Sequence, residues 1–172
     1  MKKFFMTLPV IVAIIFFANV THAAKFQTLA NITADEFFSN MGYEVDCTHW
    51  QRARDGRKVF ATMIPEEPLI ISKDYANVEV LAEKKNGMVT EVVLYFQTKS
   101  DTNSVAAIVA KALKSLDAEF FQANQPALEQ SIGELLSTPN PKVTVAVDYL
   151  LSKEEADKKT FIVRIKPAKS DS

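Results

Sequence analysis

The segment Val78–Thr98, VEVLAEKKNGMVTEVVLYFQT, decides the fold class of this chain. Val78 to Glu83 alternates as a strand does, with successive side chains on opposite faces. Asn86-Gly87 is the pair favoured in a type I′ hairpin turn, where both central residues need positive φ. Met88 to Thr98 then reads as a longer returning strand. Val92, Leu94 and Phe96 lie on one side of it, with Val93 and Tyr95 on the other. A strand apolar on both sides belongs in the middle of a sheet.

Upstream, Thr33-Ala34-Asp35-Glu36 fits a capping box, with Thr33 as N-cap and Glu36 at N3. Ile32 and Phe37 occupy the positions of a hydrophobic staple, and Gly42 supplies a C-terminal stop. A short helix over 34–41 is expected. Tyr43 to Trp50 alternates, with Tyr43, Val45, Cys47 and His49 on one face, and reads as a strand. Asp55-Gly56 marks a turn, and Lys58 to Ile64 reads as its partner strand. The prolines of Pro65-Glu66-Glu67-Pro68 interrupt the ladder, leaving Leu69-Ile70-Ile71 as a short edge strand.

Downstream, Asp101 is a good N-cap. Val105, Ile108, Val109, Ala112, Leu113, Leu116 and Phe120 keep helical spacing. Pro126 suits the first position of a second helix, where its missing N–H costs nothing. Leu128, Ile132, Leu135 and Leu136 form that helix's apolar stripe, and Pro139 and Pro141 end it. Val143, Val145, Val147 and Tyr149 alternate as one strand. Phe161, Val163 and Ile165 form another, across a charged loop over 153–159. Residues 166–172 read as a frayed polar tail. Hairpins joined to helices in a block give an α+β class. An antiparallel sheet of about five to seven strands is expected, with the helix pair on one face and a short N-terminal helix.

Residues 1–23 read as a cleaved signal peptide. Lys2 and Lys3 precede the 17-residue apolar stretch Phe4–Val20, and Thr21-His22-Ala23 places small residues before a cleavage point. This stretch contains Pro9 and is short for spanning a bilayer. The short lysine region is bacterial in style, so a periplasmic location is expected, with secretion as the alternative. Residues 24–172 then form a single domain. Loss of Lys2 and Lys3 leaves 18 basic against 21 acidic residues, a net charge of −3. That balance attracts neither nucleic acid nor anionic membrane.

Few catalytic patterns survive this reading. The four glycines, Gly42, Gly56, Gly87 and Gly133, are isolated and build neither a phosphate loop nor a dinucleotide turn. No serine lies in a GxSxG elbow. There is no HExxH or EF-hand loop, and one Cys with one His cannot close a structural zinc site. No metal or cofactor is expected. Cys47 is the sole cysteine, so it forms no disulfide within the chain; it reads as a small core hydrophobe, or as half of an intermolecular disulfide. Cys47 and His49 are the one thiol–imidazole candidate. Two residues apart on a strand, their side chains sit about 7 Å apart, beyond direct proton transfer. Glu66-Glu67 and Glu154-Glu155 are adjacent pairs expected in solvated loops.

The most distinctive surface is Trp50 to Lys58, WQRARDGRK. Trp50, Arg52, Arg54, Arg57 and Lys58 surround one hairpin tip in a net acidic chain. Guanidinium groups offer forked donors to carboxylate or phosphate, and Trp and Arg are enriched at interface hot spots. These features point to a small exported binding protein of inhibitor or immunity type, without catalytic activity. Its expected partner is another envelope or secreted protein. The alternatives are an envelope enzyme acting on glycans through dispersed carboxylates, and a periplasmic carrier of a small apolar ligand. A deep apolar pocket would favour the carrier, carboxylates converging in a cleft the enzyme, and an Arg/Trp patch or open sheet edge the binding protein.

Overall fold

The computed structural model describes residues 27–65, 75–138 and 142–168. In chain order the elements are α1 (Ala34–Asn40), β1 (Gln51–Arg52), β2 (Lys58–Pro65), β3 (Tyr75–Ala82), β4 (Val89–Gln97), α2 (Thr102–Leu116), α3 (Ala118–Leu136), β5 (Lys142–Ala146), β6 (Tyr149–Glu155) and β7 (Thr160–Pro167). The strands form one antiparallel sheet in the order β1-β2-β3-β4-β7-β6-β5. The signal-like segment and the expected edge strand at 69–71 lie outside the described residues.

Strand β4 sits at the centre of the sheet, as its two-sided apolar pattern demands. Val92, Leu94 and Phe96 face the helix pair and are buried with Val78, Val80, Val163, Ile165 and Leu151. Val93 is also buried, on the opposite face. The β3–β4 connection is longer than a two-residue turn. Glu83 and Met88 close it (Glu83 N–H to Met88 O, 2.9 Å), and the Gly87 N–H returns to Glu83 O at 3.0 Å. Only Gly87 of the Asn-Gly pair has positive φ, at 72°. Asn86 instead accepts the Met88 N–H on its side chain at 3.0 Å. The N-terminal segment braces this turn through Leu29 N–H to Val89 O at 2.7 Å and Val89 N–H to Ile32 O at 3.0 Å.

Helix α1 starts at the expected capping box, with Thr33 and Glu36 each capping the other. The long helical stripe divides where the spacing gave no sign of it. Asp117, at φ −155° and ψ 103°, ends α2 and caps α3, its side chain accepting the Phe120 N–H at 2.8 Å. Phe120 therefore belongs to α3, where it packs edge-on against Tyr149. Pro126 lies inside α3 rather than at its start. The helix continues past it because Leu128, Ile132 and Leu135 bury against the core and outweigh one missing hydrogen bond.

Four other expectations are corrected. Tyr43–Trp50 is not a strand. Tyr43, Val45 and Cys47 are half-buried and Glu44, Asp46 and Thr48 exposed, so the alternation is real. The chain lies extended against the core, then turns at Asp46–Thr48, held by the Asp46 carboxylate on the Thr48 N–H at 2.9 Å. Val143–Tyr149 is a hairpin, β5 and β6 joined at Val147-Asp148, with Val147 at φ 57°. Strand β6 runs through Glu155, so the pair Glu154-Glu155 belongs to the sheet rather than to a loop, while Glu66-Glu67 lies outside the described residues. Lys166 and Pro167 belong to β7, and the Ala168 N–H bonds Asp148 O at 2.8 Å, so the described part of the tail is tied down.

Candidate functional site

The β1–β2 hairpin forms one edge of the sheet, and its tip is built from local hydrogen bonds. The Ala53 N–H bonds Arg57 O and the Gly56 N–H bonds Ala53 O, both at 3.0 Å. Gly56 adopts φ 91°, a conformation that favours glycine. The Asp55 carboxylate accepts the Arg57 N–H at 3.0 Å, which is how an Asp-Gly turn fixes its own backbone.

Five cationic or aromatic residues cluster in the sequence here, and the fold divides them. Arg57 turns inward. Its guanidinium bonds Asp55 at 2.9 Å, Thr90 Oγ1 at 3.0 Å and Glu91 at 3.0 Å, leaving its side chain 12% exposed. Arg57 is thus the anchor of the hairpin on β4, and its position was not readable from spacing. Trp50, Arg52, Arg54 and Lys58 stay outward or half-exposed. Trp50 is 40% exposed, with the Lys58 ammonium 5.1 Å from its ring centroid. Arg52 lies directly across the strand pair from Lys58, and like charges in that relation repel. Among the described residues no ion pair engages Arg52 or Arg54.

Behind this hairpin, the sheet face away from the helices carries a charged line that sequence reasoning missed. Glu91 on β4 is only 4% exposed. It holds Arg57 and Arg164 at 3.0 Å each, with Lys166 at 3.5 Å. Arg164 also bonds Glu154 on β6, and Tyr95 donates to Glu79 at 2.9 Å. The register places these groups on one face of β3, β4, β7 and β6. A clue existed in Glu91 itself, a lone carboxylate entering an otherwise apolar central strand. Burial and the Glu79 carboxylate raise the Tyr95 phenol to about 12.

The thiol candidate is taken apart by the same folding. Cys47 is half-buried and lies beside the Asp35 carboxylate; burial first, then that neighbour, raises its thiol to about 12. His49 is 88% exposed and places Nδ1 2.9 Å from Asp46 Oδ2. Hydrogen bonds from Thr48 hold the Asp46 carboxyl near 2. Thiol and imidazole thus serve different partners, and no thiolate is generated near neutral pH.

Among the described residues no group of three or more His, Cys, Asp or Glu is arranged to hold a metal. No helix there is long and apolar enough to cross a membrane. One open cleft of about 260 Å³ lies between the start of α2 and β7, lined by Thr98, Thr102, Val105, Lys153 and Phe161 among others. Comparison of the chain with models of protein families, with curated proteins and with solved structures finds no match.

Proposed function

We propose that this chain is an exported, non-catalytic binding protein of the bacterial envelope, and that the β1–β2 hairpin takes an acidic protein partner. The observation that carries this reading is the facing pair Arg52 and Lys58 beside half-exposed Trp50, with Arg54 adjacent. Two cations opposed across a strand pair cost stability in the free protein. A carboxylate-rich surface relieves that repulsion, and Trp50 supplies apolar contact area next to the charge, the pairing typical of a hot spot. Arg57 supports the same role from below by tying the hairpin to Glu91, so the outer cations are presented on a fixed base.

The carboxylates of the open sheet face support an architectural use rather than a glycan-cleaving one. Glu91 is buried among cations, Glu154 pairs with Arg164, and Glu79 accepts from the Tyr95 hydroxyl. The helix–sheet interface is filled by Leu94, Leu113, Leu128, Leu135 and Ile165, which favours a binding surface over an internal ligand cavity.

The test is affinity capture from an envelope fraction, with protein purified from cells expressing the full chain as bait, followed by mass spectrometry. One stoichiometric partner is expected at low salt, weakened as salt rises. Arg52→Glu with Arg54→Glu is expected to lose it while far-UV circular dichroism stays unchanged. Capture that ignores both the double substitution and the salt would refute the reading, as would no partner at any salt.

A further inference from the structure

At the sheet edge opposite the hairpin, β5 presents a surface with a different chemistry. Val143 and Val145 are 62% and 63% exposed, and Val147 is 41% exposed. The register puts Val143 and Val145 on the same face as Ser152 and Leu150 of β6, away from the helices. Among the described residues no strand pairs with the outer side of β5. The β1 edge is two residues long and flanked by cations, devices that discourage edge pairing. Strand β5 has neither protection. Its single charge, Lys142, reaches back to the Glu134 carbonyl of α3 at 3.0 Å.

The backbone is arranged for one more strand. Ala146 and Tyr149 close a two-residue turn, so they exchange the ladder hydrogen bonds, and pairing alternates from there. Ala146, Thr144 and Lys142 turn their N–H and C=O groups toward β6. Val143 and Val145 therefore turn theirs outward. Val147 sits at φ 57°, a costly conformation for a β-branched residue.

We propose that β5 pairs antiparallel with β5 of a second copy, about a two-fold axis through Thr144. This register sets Val143 opposite Val145 of the other copy and matches their outward backbone groups in four hydrogen bonds. The four valines then meet on one face, and Lys142 falls opposite Ala146 rather than another charge. Thr144 sits on the axis opposite itself, in the close, non-hydrogen-bonded kind of pair. The Thr144 hydroxyl is buried and has no hydrogen-bond partner within the chain. Rotation about χ1 would turn the hydroxyl to the axis, where threonine facing threonine is a favourable cross-strand pair. The two sheets join into a single fourteen-stranded sheet, and both hairpins remain at its outer ends.

The contact is smaller than a standard interface, so a reversible equilibrium is expected, visible by sedimentation between roughly 1 µM and 1 mM. Val145→Pro removes one outward N–H and leaves the β5–β6 ladder intact; it is expected to weaken the dimer at least tenfold. Val145→Lys, at the same exposed site, is expected to do likewise through charge. Circular dichroism checks that both fold. In a Cys47→Ser background, Thr144→Cys is expected to give a disulfide-linked dimer on oxidation, since paired Cα atoms there lie about 4.5 Å apart. Val143→Cys is not, because its two copies lie about 8 Å apart, beyond the reach of a disulfide. A monomer at 1 mM, a dimer indifferent to both Val145 variants, or cross-linking at 143 in preference to 144 would overturn the proposal. A monomer that instead adds a strand from another protein would do the same.

Discussion

Replacing Glu91 by glutamine tests whether the buried charged line holds the sheet together. The substitution keeps the shape of the side chain and removes its charge. Two guanidinium groups, from Arg57 and Arg164, then lose an anion at 3.0 Å, and one of them is largely out of water. Removing one member of a buried ion pair costs about 3–5 kcal/mol, chiefly because the remaining charge stays buried. The Lys166 ammonium, at 3.5 Å and 44% exposed, adds little. Against a total stability of about 5–15 kcal/mol this is a large loss. At about 2–4 °C per kcal/mol for a chain of this size, the melting temperature is expected to fall by roughly 6–20 °C. Far-UV circular dichroism in urea is the assay, because Trp50 is too exposed to report on the core. A double-mutant cycle with Arg164→Met should return a coupling of about 0.5–3 kcal/mol. A loss below about 1 kcal/mol, or zero coupling, would mean the line is a solvated surface feature and the argument is wrong.

Val147→Gly is expected to stabilise the protein. Relief of backbone strain, about 1–3 kcal/mol, exceeds the flexibility cost of glycine, roughly 0.5–1 kcal/mol, and thermal melting at low protein concentration reads the gain. Asp117→Ala removes the cap between the two long helices and is expected to cost about 0.5–2 kcal/mol in urea unfolding. Alkali is expected to weaken the fold. Folded Cys47, Tyr95 and Tyr149 each hold their proton up to about 12, whereas the ordinary values are 9.0 and 10.0. The native state thus binds more protons than the unfolded one between about 9 and 12, so stability is full below that window and falls through it. Urea midpoints from pH 7 to 11 check the direction, and a flat profile would contradict it. Over the same range, Cys47 is expected to react slowly with a disulfide reagent until the chain is unfolded.

Sequence patterns succeeded where one local rule met no competitor. Thr33 and Glu36 cap α1, and Asp101 caps α2, because a side chain three residues from an orphan N–H finds it whatever the rest of the chain does. The two-sided apolar run of β4 placed it centrally because burial on both faces has few other solutions. The same reasoning failed at Val147-Asp148, where period two continues through a turn that carries no glycine. It also failed at Asp117, where helical spacing is kept across a one-residue break. Pro126 was misplaced because the Asp117 cap and the buried Phe121 start α3 upstream of it, while the burial of Leu128, Ile132 and Leu135 carries the helix past it.

The candidate surface divides along the same line. Composition alone put Trp50, Arg52, Arg54, Arg57 and Lys58 on one hairpin, since Asp55-Gly56 dictates the turn locally. Which of those cations meets solvent depended on Glu91 and Thr90, more than thirty residues away in the chain. Only after β3 and β4 pair do they stand beneath Arg57. Likewise, alternation alone made Val143 and Val145 share a face. Their exposure followed from strand order, because β5 ends the sheet and α3 covers its other side. Periodicity and capping are local properties and are written in the residues. Partner choice among charges, and the distinction between an edge and a centre, are set by long-range contacts that exist only once the sheet has closed around β4.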